Sequence, residues 1–279
     1  MPPWKINEIP AQCISLKRRE DRWDNFNSQP ATRDLPMLER YDAVDGKTLD
    51  LATEKRVLLS AKRNIMNKQR RSHEELDSIG GVGCALSHIG IWQKMVQHQI
   101  PLMFVLEDDA RIPPEFVTKA NEMIASSPAL QDYNSWDLWV LSNNQLFSKP
   151  LPGEPKVHDL QAFVTTTGYV ITLKCAEKFL ADAFPIHCHI DYFMVILKQV
   201  RPMRYLSTPS FRIYQRGDKS DIQEKPRCII CNVPTDFDTT HSVISKADRA
   251  QLLLAQNALI IGASLIVGYG FYRHFVSKD

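Results

Sequence analysis

The sequence predicts a single α/β domain with a mostly parallel central sheet flanked by helices, followed by a C-terminal transmembrane helix. Three observations carry this expectation. Short apolar runs alternate with stretches of helical length between residues 12 and 206, the rhythm of strand–helix–strand units. One run, residues 102–106 (LMFVL), is apolar at every position, as in a strand covered on both faces. Finally, residues 252–272 (LLLAQNALIIGASLIVGYGFY) hold no charge over 21 positions between Arg249 and Arg273, the length a helix needs to cross a bilayer.

Composition narrows the classes. A chain of 279 residues is long enough for one large core. Its hydrophobic share of 44% and charged share of 24% are those of an ordinary globular protein. The net charge of +2 gives no drive toward nucleic acid, which is excluded as a partner.

Taken in order, residues 12–16 predict the first strand, and the charged KRREDRWDNF after it a loop entering a helix. Residues 38–44 predict a second strand ending in an Asp45-Gly46 turn. Residues 51–71 predict a basic helix, with seven Lys and Arg between positions 55 and 71 that suit either solvent or an anionic membrane. Ser72 and Glu75 match a capping box, and a helix follows from Gly83. The strand at 102–106 leads to Pro113-Pro114 at the start of the next helix. Further strands fall at 138–141, 169–172 and 203–206, with helices from Lys174 and Ile190.

The N-terminal MPPWKINEIP lacks the apolar core of a secretory signal, so the six cysteines are expected as free thiols in a reducing compartment. Cys228 and Cys231 have CxxC spacing, but no second pair follows, only His241, which argues against a zinc site there. In residues 252–272, Tyr269, Phe271 and Tyr272 form one aromatic end, and Ala258/Gly262 and Ser264/Gly268 would let a second helix approach. A buried core helix is the competing reading. A tail anchor leaves the globular part facing the cytosol.

The chemistry concentrates at FVLEDDARIPPEF. Glu107, Asp108 and Asp109 end an apolar strand, where α/β sheets bind ligands. Three adjacent carboxylates repel one another unless a cation or a base lies between them. In an extended chain Glu107 and Asp109 share one side and Asp108 takes the other, which suits a hard divalent cation with open positions for phosphate oxygens.

Seven blocks in a fixed order turn this into a family resemblance. CISLKRREDRWDNF, YDAVDGKTL, GVGCALSHIGIW, FVLEDDA, TTTGYVIT, HIDYFM and the pair Gln215 with SDI (from Ser220) together resemble glycosyltransferase family 25, the lipopolysaccharide-biosynthesis and procollagen galactosyltransferase type. The resemblance implies a GT-A-like fold, placed over residues 1–225; residues 226–251 are then a linker to the uncharged segment 252–272 read above as the anchor. It implies an inverting hexosyltransferase using a UDP-sugar (galactose or glucose), with Mn²⁺ or Mg²⁺ as cofactor and a glycan, lipid-linked or protein acceptor. Asp109 is implied as a direct metal ligand beside Glu107. Ser15, Arg19, Arg22, Asp45, Gly46, His88, Glu107, Asp108, Gln215 and Ser220 are implied at the donor. Asp191 is the first choice of general base and Asp221 the second.

Two positions depart from the family pattern. Ser15 stands where Asn is usual and Gly81 where Glu is usual, which motivates an alternative: a membrane-anchored protein that binds sugar nucleotide or glycan without turnover. A phosphoryl-transfer enzyme is a further alternative, but no Walker-type glycine–Lys–Ser/Thr run is present.

Overall fold

A computed structural model describes residues 3–68, 72–217 and 221–222, all within one compact unit, Met1–Glu224. The first half holds β1 (Ala11–Ser15), α1 (Glu20–Asn27), β2 (Leu38–Asp42), α2 (Leu59–Asn67), α3 (Ile79–Gln97), β3 (Leu102–Glu107) and β4 (Ala110–Arg111). It is followed by α4 (Phe116–Ser126), α5 (Pro128–Gln131), β5 (Leu138–Val140), β6 (Gln145–Leu151), β7 (Glu154–Phe163) and β8 (Gly168–Thr172). The last elements are α6 (Leu173–Asp182), α7 (Ile190–Val200), β9 (Tyr205–Ser207) and β10 (Tyr214–Gln215).

Eight strands form one sheet in the order β2-β1-β3-β8-β5-β9-β7-β6, and β4 pairs with β10 in a short ribbon. β2, β1 and β3 are parallel neighbours. β8 enters antiparallel between β3 and β5, β9 runs parallel to β5, and β7 and β6 close the far edge in antiparallel pairs. Six of the eight strands thus share one direction, as expected, while β8 and β7 run against it. The β6–β7 hairpin is new relative to the sequence expectation. Its two linking residues, Pro152 and Gly153 (φ +78°), can join only antiparallel strands.

Both faces of the sheet are covered, which explains the unbroken apolar run in β3. Leu102, Phe104 and Leu106 pack with Phe26 of α1 and Phe116 and Ile124 of α4. Met103 and Val105 point the other way, toward Ile89 and Trp92 of α3, Phe179 of α6 and Phe193 of α7. Strand alternation sorts one sequence run into two cores. Each such fully buried side chain contributes roughly 1.5–3 kcal/mol.

Several boundaries move for local reasons. β2 stops at Asp42, and Asp45 instead caps a 3₁₀ turn, Gly46–Thr48, its carboxylate accepting the Lys47 N–H at 3.0 Å. The helix expected over 51–71 contracts to α2; residues 69–71 lie outside the described residues. The Ser72–Glu75 box starts no helix, and Glu75 bridges to Cys188. α3 begins earlier than expected, capped by Ser78, whose hydroxyl accepts the Gly81 N–H at 3.3 Å. α4 begins at Phe116, just beyond Pro113-Pro114.

Glycines let two of these segments touch. A Cβ on Gly46 would stand 2.1 Å from the Ile79 carbonyl oxygen, and one on Gly83 2.5 Å from that of Val44. Bare backbone therefore lets the loop after β2 lie directly on the first turns of α3. Among the described residues no helix is long and apolar enough to cross a membrane. The expected anchor at 252–272, the linker and the Cys228/Cys231 pair lie outside them.

Candidate active site

The parallel strands β2, β1 and β3 end side by side, and their following loops enclose a cavity of about 610 Å³. β1 sits where the chain first steps to β2 and later returns to β3 on the other side, the kind of switch point at which α/β sheets open a crevice. Of the residues expected at the site, Arg19, Arg22, Asp45, Gly46, Glu107, Asp108, Asp109, Gln215 and Asp221 line this cavity.

The acidic cluster is arranged differently from a continued strand. β3 stops at Glu107 and the chain turns at Asp108-Asp109, so strict alternation ends and Asp108 converges with Asp109. Both meet one guanidinium: Arg22 Nη2 is 2.6 Å from Asp108 Oδ1 and 3.1 Å from Asp109 Oδ2. Gln215 donates to Asp109 Oδ2 at 3.1 Å. The other Asp109 oxygen, Oδ1, is buried without a hydrogen-bond partner.

Two of the three acids are pushed up and the third is held down. Burial, then the neighbouring Glu107, pushes Asp109 up to about 7 despite Arg22 and Gln215. Burial also raises Asp108, with Arg22 and the Ser15 hydroxyl pulling the other way. Burial opposes the charge on Glu107 too, but hydrogen bonds from His88 and Thr166, with Arg22 nearby, hold it below its usual range. A cation fits this set. Asp109 offers an orphaned oxygen, and a positive charge beside it would relieve the cost of ionising it.

Asp221 faces the acids across a set of arginines. It lies 3.0 Å from Arg18 and 3.5 Å from Arg22, and it pairs with Arg19. Burial raises its pKa, but the hydrogen bond from Arg18 and the charge of Arg19 prevail and hold it low. Arg18 also pairs with Asp45 at 2.6 Å. It was missed in the sequence because the KRRE run offers three equivalent bases; only the Asp45 and Asp221 contacts single it out.

Three expected residues are not in the cavity wall. Ser15 is buried at the end of β1 beside Asp108. His88 is fully buried behind Glu107, with Nε2 3.3 Å from Glu107 Oε1 and Nδ1 2.8 Å from the Tyr169 hydroxyl. That hydroxyl accepts the Trp92 indole N–H at 3.3 Å. Asp191 is also absent from the wall. Its carboxylate accepts the backbone N–H groups of Thr165 and Tyr192, each at 2.9 Å. Thr165 is held at φ +69°, unusual for a β-branched residue, and the adjacent Thr166 donates to Glu107. Asp191 thus braces the turn that carries Thr166, and through it Glu107. Thr166 and Tyr169 went unnoticed as individuals, although both lie inside the TTTGYVIT block. Ser220 lies outside the described residues. Gly81 does not line the cavity either; a Cβ there would meet Leu76 at 2.6 Å and His189 at 3.3 Å.

Sequence comparison agrees with this arrangement. The profile of Glycosyltransferase family 25 (LPS biosynthesis protein) matches residues 9–194, which includes β1 to β3 and the acidic turn. The chain belongs to glycosyltransferase family 25. The family member is 25% identical over 255 residues to mouse (Mus musculus) procollagen galactosyltransferase 2, covering 82% of this chain and 39% of that protein. It is 30% identical over 197 residues to a Glycosyltransferase 25 family member of Drosophila pseudoobscura pseudoobscura, covering 68% of this chain and 30% of the relative. A mouse protein named Inactive glycosyltransferase 25 family member 3 is 28% identical over 212 residues, covering 72% and 34% respectively. The chain thus spans well under half the length of these relatives.

Proposed function

We propose that this family 25 member is a GT-A-type inverting hexosyltransferase that moves a hexose from a UDP-sugar to a hydroxyl of a glycan, lipid-linked or protein acceptor. The observation that carries the proposal is the cavity at the ends of three parallel strands, where a buried carboxylate oxygen with no partner, Asp109 Oδ1, stands opposite a cluster of arginines. Acids for a cation beside cations for a diphosphate are the two halves of a sugar-nucleotide site. The name of the mouse relative, procollagen galactosyltransferase 2, supports galactose as the hexose.

Asp109 and Glu107 would hold Mn²⁺ or Mg²⁺, whose chemistry is to neutralise charge on the departing diphosphate. Arg18, Arg19 and Arg22 are placed to receive phosphate oxygens. All three meet Asp221, a carboxylate standing where a phosphate would compete. When the diphosphate takes the arginines, Asp221 loses the partners that keep its pKa low. It then becomes the group able to accept the acceptor's hydroxyl proton as that oxygen attacks the anomeric carbon. Asp191 and Thr166 keep Glu107 oriented during this step.

The membrane placement is proposed from the uncharged segment 252–272, which would anchor the chain with its catalytic domain on the cytosolic side. A binding protein without turnover is favoured by one observation, the likeness to a relative named inactive. Calorimetric titration with UDP-galactose and Mn²⁺, run beside product analysis, separates the two. Metal-dependent release of UDP with formation of a glycoside supports transfer. Saturable binding with no product supports the alternative, and no binding at all removes both.

A further inference from the structure

One cluster beside the cavity has chemistry that hexosyl transfer leaves unused. Cys84 and His88 stand four residues apart on α3, hence on one helical face, and that face meets the end of β3 at Glu107. The cysteine sulfur, a ring nitrogen of His88 and a carboxylate oxygen of Glu107 all lie within 4.8 Å of one another. Only one side of the imidazole faces this cluster. Its Nε2 is 3.3 Å from Glu107, while Nδ1 is engaged by the Tyr169 hydroxyl at 2.8 Å. A ring nitrogen anchored by a hydrogen bond is the usual support of a metal-ligating histidine, because it fixes tautomer and orientation. Cys84 and Glu107 both border the cavity, so the cluster has an entry path and room for a fourth ligand.

We propose that Cys84, His88 and Glu107 form a soft-cation site suited to Zn²⁺, distinct from the oxygen-rich site at Asp109 but sharing Glu107 with it. Thiolate, imidazole and carboxylate with one open position make a donor set that zinc takes in preference to Mg²⁺ or Mn²⁺. Bonds of roughly 2.0–2.3 Å to a tetrahedral ion need the three atoms closer together than the outer limit of 4.8 Å; a turn of the Cys84 side chain supplies the movement. Binding expels the thiol proton to solvent. Zinc that draws Glu107 to this cluster competes with the cation at Asp109 for the same carboxylate, and so weakens that cation and inhibits the enzyme. That consequence rests on the cation-dependent transfer proposed above, whereas zinc binding itself does not.

The test is Co²⁺ titration of the full-length protein in detergent, read by the thiolate-to-cobalt charge-transfer band. The band is expected in the unaltered protein and in Cys228→Ser/Cys231→Ser, and absent in Cys84→Ser whose circular dichroism is unchanged. Tyr169→Phe, which removes the support of His88, should weaken cobalt binding about 10-fold or more. A missing band in the unaltered protein overturns the proposal. So does a band that survives Cys84→Ser and vanishes in Cys228→Ser/Cys231→Ser, which would put the metal on the CxxC pair. In a second arm, Zn²⁺ should suppress Mn²⁺-dependent turnover of UDP-galactose in the unaltered protein, and a smaller fraction of it in Cys84→Ser. Absence of turnover under all conditions would sink the transfer reading and leave the cobalt result standing.

Discussion

Each half of the sheet has strands buried along their whole length, β1 in one and β5 and β9 in the other, yet the halves are chemically unlike. On one side β2, β1 and β3 run parallel and finish together, and every loop that follows them carries charge into the cavity: Arg18, Arg19 and Arg22 after β1, Asp45 after β2, Asp108 and Asp109 after β3. On the other side β5, β9, β7 and β6 contribute no residue to that cavity. The difference lies in connection. Parallel neighbours need crossovers, so their loops gather at one edge and are long enough to fold over it. The β6–β7 hairpin turns back within two residues and has no such loop to offer. β5 and β9 are parallel neighbours too but lend no side chain to the cavity; the site comes from the charged segments that follow β1, β2 and β3.

The largest break in this contrast should come from Asp109→Asn. Losing the cavity carboxylate whose Oδ1 is orphaned is expected to cut metal-dependent transfer by about 10²–10³-fold, the scale of removing one electrostatic anchor from a transition state, with circular dichroism unchanged. Near-normal turnover in Mn²⁺ would falsify the cation assignment.

Two carboxylates sharpen the comparison next. Asp221→Asn should cost about 10²-fold in kcat, the value of a general base, while donor affinity holds or rises because three arginines each lose one competing carboxylate. Asp191→Asn should cost only about 10-fold, as a supporting hydrogen bond does, and without moving the kcat–pH profile. A reversed order of these effects would restore Asp191 as the base.

Metal-free stability gives a smaller effect with a defined sign. Asp109 has its folded pKa raised from 3.8 to about 7, so the native state holds a proton that the unfolded state has lost. Stability therefore falls as pH rises through this window and the loss is complete above it. In EDTA, Asp109→Asn should melt several degrees above the unaltered protein at pH 8 and level with it near pH 4; added Mn²⁺ should narrow the gap at pH 8. Equal melting points at pH 8 would mean that Asp109 is not strained by ionisation.

The smallest effect belongs to the other half of the sheet. Lys149→Ala and Lys156→Ala, exposed on the β6–β7 hairpin, should change stability by no more than about 0.5 kcal/mol and leave donor turnover within error. A marked loss would extend the site to the hairpin, through the acceptor.

Much of this molecule was readable before its structure. The unbroken apolar run of β3 announced a strand covered on both faces, and the three acids behind it announced a site, because charge placed at the end of a buried strand has no structural use of its own. The α7 start at Ile190 and the strands around residues 12–16 and 169–172 were legible from periodicity, a local property of the chain. The hairpin was not, since QLFSKPL carries no regular alternation to mark a half-buried strand. The capping box at Ser72 and Glu75 misled because a four-residue pattern cannot tell which of two nearby serines the helix will use; the close approach of Gly46 and Gly83 helps fix α3 where Ser78 caps it.

Residue types and their order thus determined the fold class, the edge of the sheet that carries chemistry, and the family. What each acid does was decided only in three dimensions. Asp191 and Asp221 are both plain aspartates in family-like blocks, yet one is held by two backbone N–H groups behind the cavity and the other by arginines within it. Asp109 is set apart from its neighbour Asp108 by one unpartnered oxygen. Role depends on burial and on partners as far as 202 positions away in the chain, and a carboxylate's own place in the sequence carries no record of either.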